Sequence, residues 1–272
     1  MASPTTPPPA GTLEAWAFEV IQSPTLEGKL TPGAPPRALE VQPPPRADLE
    51  PSRPSPLEVV ARAPKTPRAG ALVRAEARAK LLHIFFHHEL QAAELFAWAL
   101  LAFPDAPEAF RRGLAAICEE ELRHARMYAE GVGALGSEVG AFPVRDWFWE
   151  RFTACTSPLA FVALMGLGFE GGNLDHGTLW AERLRSAGDE SSARLVDAVA
   201  RDEVRHVAFA VRWFREWTGG LDFDTWRAAL PAPLTPTVMR GAELDLELRR
   251  LAGLDDTFLE ELAAWDRAAP GS

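Results

Sequence analysis

Two short motifs pair a glutamate with a histidine three residues later: Glu121-Leu-Arg-His124 and Glu203-Val-Arg-His206. Both lie in segments with helical periodicity, where residues three apart share one face. Each motif therefore presents one carboxylate and one imidazole to the same point, which is a ligand pair for a divalent transition metal. A single Glu-x-x-His is weak evidence, because most such pairs lie on helix surfaces, so the surrounding sequence decides the interpretation.

Each motif has a lone glutamate at a matched distance before it. Glu89 precedes Glu121 by 32 residues. Glu170 precedes Glu203 by 33 residues. The midpoint of the first interval falls in the Pro104–Pro107 breaker, and that of the second falls in the next turn signal. Residues equidistant from the turn of an antiparallel hairpin lie at the same height, so each hairpin brings its lone glutamate level with its Glu-x-x-His. The two halves resemble one another, which indicates an internal duplication.

Long helical periods begin near residue 70, and no strand pattern of useful length follows. Proline and glycine signals separate the predicted helices. The first ends at about 103, the second ends near 131–136, the third covers about 159–186, and the fourth follows Asp189 as its N-cap. Shorter helices are predicted around 242–252 and 256–267. The pattern predicts an all-α fold. We expect two helical hairpins packed as a ferritin-like antiparallel four-helix bundle.

The four glutamates interrupt apolar stripes and so fall on core positions. Desolvating each carboxylate costs several kcal/mol, whereas two divalent cations would supply four positive charges against four negative ones. Four glutamates and two histidines suit iron or manganese with coordination positions left open. The predicted metal ligands are Glu89, Glu121, His124, Glu170, Glu203 and His206. The alternative is a metal-free bundle in which protonation and hydrogen bonds replace the cations.

One acidic residue immediately precedes the glutamate of each motif. Glu120 and Asp202 could accept the free N–H of a ligand histidine. Equally, they could form salt bridges with Arg123 or Arg205.

Three further side chains lie near the predicted ligands along the chain. His83 and His87 could line a substrate pocket or be satisfied helix residues. Tyr128 is the only tyrosine and lies one turn beyond His124, so it is either a core residue or the one candidate for a tyrosyl radical.

Composition excludes several classes of protein. The chain has 38 acidic and 28 basic residues and a net charge of −10, which argues against nucleic-acid binding as the main activity. Two cysteines exclude a disulfide framework and fit a reducing compartment. No secretory signal is visible, and the charge-free stretch 152–169 contains Pro158, so we interpret it as a loop and a buried helix. These features predict a cytoplasmic protein without a membrane span.

Proline divides the chain, because most of its 24 prolines fall within residues 1–67. We expect 1–67 to be a Pro-rich arm, partly docked or disordered, with one short helix near 12–21. Residues 68–220 would form the bundle, and residues 221–272 would form a C-terminal helical extension. A basic run at 62–80 is interpreted as a solvated face, with a phosphate contact as the alternative.

Five segments carry a family resemblance: Thr12 to Trp16 with Ser23-Pro24, Leu81 to Leu95, Glu120 to His124, Leu184 to Asp189, and Arg201 to Phe209. They resemble the domain of unknown function 455 (DUF455) family of ferritin-like proteins, over roughly residues 12–220. The resemblance implies a ferritin-like fold and metal ligands at the six residues named above. It implies no substrate, because the family is uncharacterised. The glycine-rich Glu170-Gly-Gly-Asn-Leu-Asp175 departs from the family pattern.

These observations predict a dinuclear metal protein, specifically a di-iron oxidoreductase. Two reduced irons would activate dioxygen to oxidise an unknown small organic molecule, with manganese or a mixed iron–manganese pair as other metal choices. We expect a monomer or small homo-oligomer. The alternatives are a non-catalytic metal-binding or iron-storage protein and a metal-free helical interaction module.

Overall fold

The computed structural model describes residues 6–62, 65–152 and 155–265. Throughout these residues the regular structure is helical, and the strand-like pairing within them is an isolated parallel bridge between Val59 and Val144. The predicted all-α class is confirmed. None of the described helices combines the length and apolarity needed to cross a membrane. Contacts divide the chain into two units, Met1–Thr153 and Ala154–Ser272.

The first unit is built on one long helical hairpin. Its α-helices are α1 (Leu13–Gln22), α2 (Leu26–Leu30), α3 (Ala75–Ala102), α4 (Glu108–Ala134) and α5 (Trp149–Phe152), with a 3₁₀ turn at Ala69–Ala71. Helices α3 and α4 form the hairpin. Helix α3 ends at Ala102 because Phe103 precedes Pro104, and a residue before proline is disfavoured in helical geometry. Pro107 immediately precedes α4, where its missing N–H costs no helical hydrogen bond.

The N-terminal segment packs against this hairpin. The Thr12 side chain caps α1 by accepting from Ala15 N, and α1 then lies along α3. Trp98 of α3 donates its indole N–H to the carbonyl of Ala47 at 2.8 Å. The proline-rich segment thus forms contacts with the long helices at several points between residues 6 and 62.

A buried ionic cluster, here called the arm network, fastens this segment to α3. Glu94 is fully buried and accepts from Lys29 Nζ at 2.7 Å, from Arg53 Nη1 at 2.7 Å, and from Trp149 Nε1 at 3.1 Å. Arg53 also donates to Asp146 at 2.8 Å. Burial lowers the pKa of Lys29, and the Glu94 carboxylate opposes that shift. One carboxylate on α3 therefore holds two cations from the N-terminal segment.

The second unit contains another helical hairpin. Its elements are α6 (Pro158–Phe161), a π-helix (Val162–Glu170), α7 (Gly171–Ser186), α8 (Glu190–Thr218), α9 (Phe223–Ala229), a 3₁₀ helix (Pro236–Met239), α10 (Leu246–Leu251) and α11 (Asp256–Ala264). Helices α7 and α8 pack as the hairpin. In its turn Gly188 adopts φ +83°, and Asp189 caps α8 by accepting from Ser192 N. Both turn signals expected from the sequence are present.

The π-helix is the main departure from the expected uninterrupted helix over 159–186. A π-helix is built on i→i+5 hydrogen bonds and is rare. Within it, Ala163 O accepts the indole N–H of Trp226 at 2.9 Å. Gly166 allows the π-helix to approach α8 closely, because a Cβ at that position would clash with Ala210. The π-helix ends at Glu170, a predicted ligand.

The C-terminal segment is fastened to α7 by a second buried carboxylate. Asp175 accepts from the Arg249 guanidinium at 2.9 and 2.7 Å. It also accepts from the backbone N–H groups of Gly241 and Asp245, both at 2.7 Å. The negative charge of Asp175 is therefore balanced by Arg249, and both of its carboxylate oxygens accept hydrogen bonds within the second unit.

Replacing Glu94 with glutamine should destabilise the first unit. The variant keeps the volume of the side chain but leaves Lys29 buried without its anion and Arg53 paired with Asp146 alone. Breaking a buried ion pair in this way costs about 3–5 kcal/mol. We expect urea unfolding, followed by tryptophan fluorescence, to shift to clearly lower denaturant.

Glu108→Gln is the matched control, because Glu108 pairs with Arg112 on the exposed surface of α4. Its expected loss is below about 1 kcal/mol. Equal unfolding midpoints for the two variants would show that the arm network does not stabilise the protein.

Candidate metal centre

The first unit gathers three predicted ligands into what we call the first triad. Glu89 comes from α3, and Glu121 and His124 come from α4; all three are buried. Each offers a ligand atom, and these atoms lie within 4.8 Å of one another. His124 Nδ1 lies 3.4 Å from Glu121 Oε2 and 3.8 Å from Glu89 Oε2.

The second unit gathers the other three into the second triad. Glu170 ends the π-helix, and Glu203 and His206 lie on α8; each is 1% exposed. Their ligand atoms also lie within 4.8 Å of one another. His206 Nδ1 lies 2.7 Å from Glu203 Oε2, and Asn173 donates its side-chain N–H to Glu170 Oε2 at 3.1 Å.

The two triads share one design. In each, a hairpin brings a lone glutamate beside a Glu-x-x-His, as the matched spacings around the turns predict. In each, the imidazole turns Nδ1 toward the carboxylate of its own motif. Asn173 was not singled out from the sequence, although its position one helical turn after Glu170 is a signal that could have identified it.

The donor chemistry of each triad suits a transition metal. Two carboxylates and one imidazole in a dry interior are ligands used for iron, manganese and zinc. A divalent cation would neutralise the two carboxylates of a triad and so remove the cost of burying them. These buried carboxylate and histidine groups could bind metal ions.

The residues before the ligands are more exposed than the ligands. Asp202 forms an ion pair with Arg205 at 2.9 Å, which is one of the two roles expected for it. Glu120 is half-buried on α4.

His83 contacts the loop of the first unit that contains Gly140 and Phe142. Its Nε2 accepts the backbone N–H of Gly140 at 2.8 Å, and its ring meets Phe142 edge-on. Burial, with a smaller contribution from His87, lowers the pKa of His83 to about 4. The imidazole is therefore neutral in the folded protein at neutral pH and acts as a hydrogen-bond acceptor.

His87 and Tyr128 have different surroundings. His87 Nε2 lies 3.1 Å from Asp146 Oδ1, and the ring lines a cavity. Tyr128 is buried, and its ring lies 5.5 Å from that of Phe85. The structure thus gives His87 a polar partner and gives Tyr128 aromatic packing.

Comparison with known proteins identifies the family. The sequence matches the family described as protein of unknown function (DUF455) over residues 13–260. The chain belongs to the DUF455 family. The match includes both triads, the arm network and the Asp175–Arg249 pair, so the features described above lie within the part shared with the family.

One curated relative of this DUF455 protein is an uncharacterized protein from Haemophilus influenzae. It is 27% identical over 160 residues, which is 56% of this chain and 56% of the relative. The chain thus spans little more than half the length of that relative. No solved structure matches the chain significantly.

Replacing His83 with glutamine should remove a pH-dependent part of the stability. His83 has a lower pKa folded than unfolded, so the unfolded chain binds the extra proton between pH 6.5 and about 4. Stability is therefore full above pH 6.5 and falls as the pH drops toward 4. The maximum loss is of the order of 3 kcal/mol.

Urea unfolding of His83→Gln at several pH values measures this effect. The glutamine carbonyl can still accept from Gly140, so stability at pH 7.5 should change little while the decline toward pH 4 becomes shallower. His176→Gln, at an exposed position, is the control. Parallel pH profiles for wild type and His83→Gln would exclude the assignment.

Proposed function

We propose that this DUF455 protein is a ferritin-like dinuclear metal protein and a di-iron oxidoreductase that oxidises a small organic molecule with dioxygen. The observation that carries the proposal is the repetition of one buried donor set. Each unit holds two glutamates and one histidine on a helical hairpin, and the three donor atoms lie within 4.8 Å of one another.

We infer that the six triad residues hold two divalent cations, as the ferritin-like four-helix bundle predicted from the sequence requires. Each triad carries two negative charges when its glutamates are ionised, and two divalent ions would balance the four charges together. Bridging by carboxylates between two metals is the arrangement typical of ferritin-like carboxylate sites. The duplicated hairpins support this inference, because each supplies an equivalent half.

The protein side chains would bind and orient the metals and exclude water. The six triad residues would be the ligands, with Nδ1 the coordinating nitrogen of each histidine. Asn173 would orient the Glu170 carboxylate through its 3.1 Å hydrogen bond. The π-helix that ends at Glu170 supports a functional role, because π-helical turns inside helices occur frequently at functional sites. Bound ferrous ions would supply the electrons for dioxygen activation.

The packing of the N-terminal segment favours an enzyme over an iron-storage cage. In the first unit α1 packs on α3, and α2 packs on α4. These contacts occupy helix surface that a self-assembling cage would need for contacts between chains. We therefore propose a monomer or small homo-oligomer.

Removing Glu121 should abolish stoichiometric metal binding. After anaerobic reconstitution with ferrous iron and desalting, we expect about two irons per chain in wild type and less than half of that in Glu121→Ala. Glu119→Ala is the control, because Glu119 is exposed on the same helix. A folded Glu121→Ala protein that retains two irons would refute the ligand assignment.

Exposure of the reduced, iron-loaded protein to oxygen tests the redox part of the proposal. We expect oxygen consumption and a change in the optical spectrum in wild type and Glu119→Ala, and neither in Glu121→Ala. An iron-loaded protein that leaves oxygen unconsumed would contradict the oxidoreductase assignment while leaving metal binding intact. A large closed assembly on size-exclusion chromatography would favour storage.

A further inference from the structure

A cavity in the first unit lies apart from the first triad. It has a volume of about 250 Å³, and its lining includes Arg62, Thr66, Ile84, His87, Arg145 and Trp147. It therefore combines two guanidinium groups, a buried imidazole and apolar or aromatic surface. Such a mixture of apolar walls and a few polar groups is typical of small-molecule sites.

The α3 residues that line the cavity lie on a different face of the helix from the predicted metal ligand Glu89. Ile84 and His87 lie one turn apart on the cavity side. Glu89 is five residues after Ile84, which places it about 140° around the helix at 100° per residue. A molecule in the cavity would thus lie against α3 on the side away from the Glu89 position.

The charges around the cavity favour an anionic ligand. Arg62 is exposed and forms no ion pair with the residues that the structure describes. Arg145 is held by Glu150, with Nε donating to Oε1 at 3.0 Å. Between residues 59 and 75 the chain contains four arginines or lysines and no acidic residue, in a protein whose net charge is −10. Arg62 therefore supplies positive charge to this cavity from a locally basic stretch of an acidic protein.

The inner wall offers a fixed polar group and a flat apolar one. His87 is 2% exposed, and its Nε2 is fixed 3.1 Å from Asp146. Asp146 is itself paired with Arg53 at 2.8 Å, so its charge is matched. Trp147 and Ile84 supply apolar surface for a ring or a short aliphatic body.

We propose that this cavity binds a small organic anion, in which a carboxylate or phosphate group is carried on an apolar body about the size of one ring. The anionic group would contact Arg62 and Arg145, and the apolar body would lie against Trp147 and Ile84. The volume falls just below the range of about 300–1,000 Å³ for drug-sized ligands, which sets the size. This site goes beyond the metal chemistry and does not depend on it.

Calorimetric titration of the full-length protein with benzoate and with phenyl phosphate tests the proposal. We expect at least one of them to bind with a Kd below about 1 mM, and the uncharged benzamide to bind at least about tenfold more weakly. Preference for benzoate would assign a carboxylate ligand, and preference for phenyl phosphate a phosphate ligand.

Arg62→Gln should weaken binding of the preferred anion at least about fivefold, because it removes a charge-assisted contact. Arg68→Gln is the matched control: it removes the same charge from the same basic run, at an exposed position outside the cavity lining. A Kd above about 1 mM for both anions, equal binding of benzamide, or equal losses in the two variants would each overturn the proposal. Metal content is measured separately, so failure here leaves the metal proposal standing.

Discussion

The cost of burying carboxylates is the constraint on which this structure depends. Each hairpin places two glutamates in an interior from which water is excluded, where an uncompensated charge costs several kcal/mol. A stable fold must therefore neutralise these carboxylates, by protonation or by positive charge, and each triad adds only one imidazole to its two carboxylates. A divalent cation is the compact way to complete the balance. The buried carboxylates that are costly to the core are thus the same groups that would bind the metals.

Each unit also pairs a buried carboxylate outside its triad with positive charge. Glu94 and Asp175 each lie five residues after the lone glutamate of their unit, and so about 140° around the helix from it. Glu94 binds Lys29 and Arg53 of the N-terminal segment, and Asp175 binds Arg249 of the C-terminal segment. In each unit, one helical segment therefore has one acidic residue in a triad and a second that anchors a terminal segment.

The sequence predicts the features that depend on local spacing. The C-terminal end of α3, the Asp189 cap and the pairing of each lone glutamate with its motif follow from residue types a few positions apart or symmetric about a turn. It does not predict the π-helix, where Ala163 O accepts the indole N–H of Trp226, 63 residues away in the sequence. Nor does it predict the partner of Lys29, which is 65 residues away in the sequence. Long-range polar partners leave no periodic signal.

The position of α3 within the first unit connects these features. One face carries Glu89 toward α4, a second carries Glu94 into the arm network, and a third borders the cavity through His87. Asp146 joins the last two, because it contacts both His87 and Arg53. A helix packed and hydrogen-bonded on several sides has little freedom to rotate, and a metal ligand needs that rigidity to keep its geometry. The N-terminal segment therefore contributes to the proposed centre by fixing the orientation of the helix that bears Glu89.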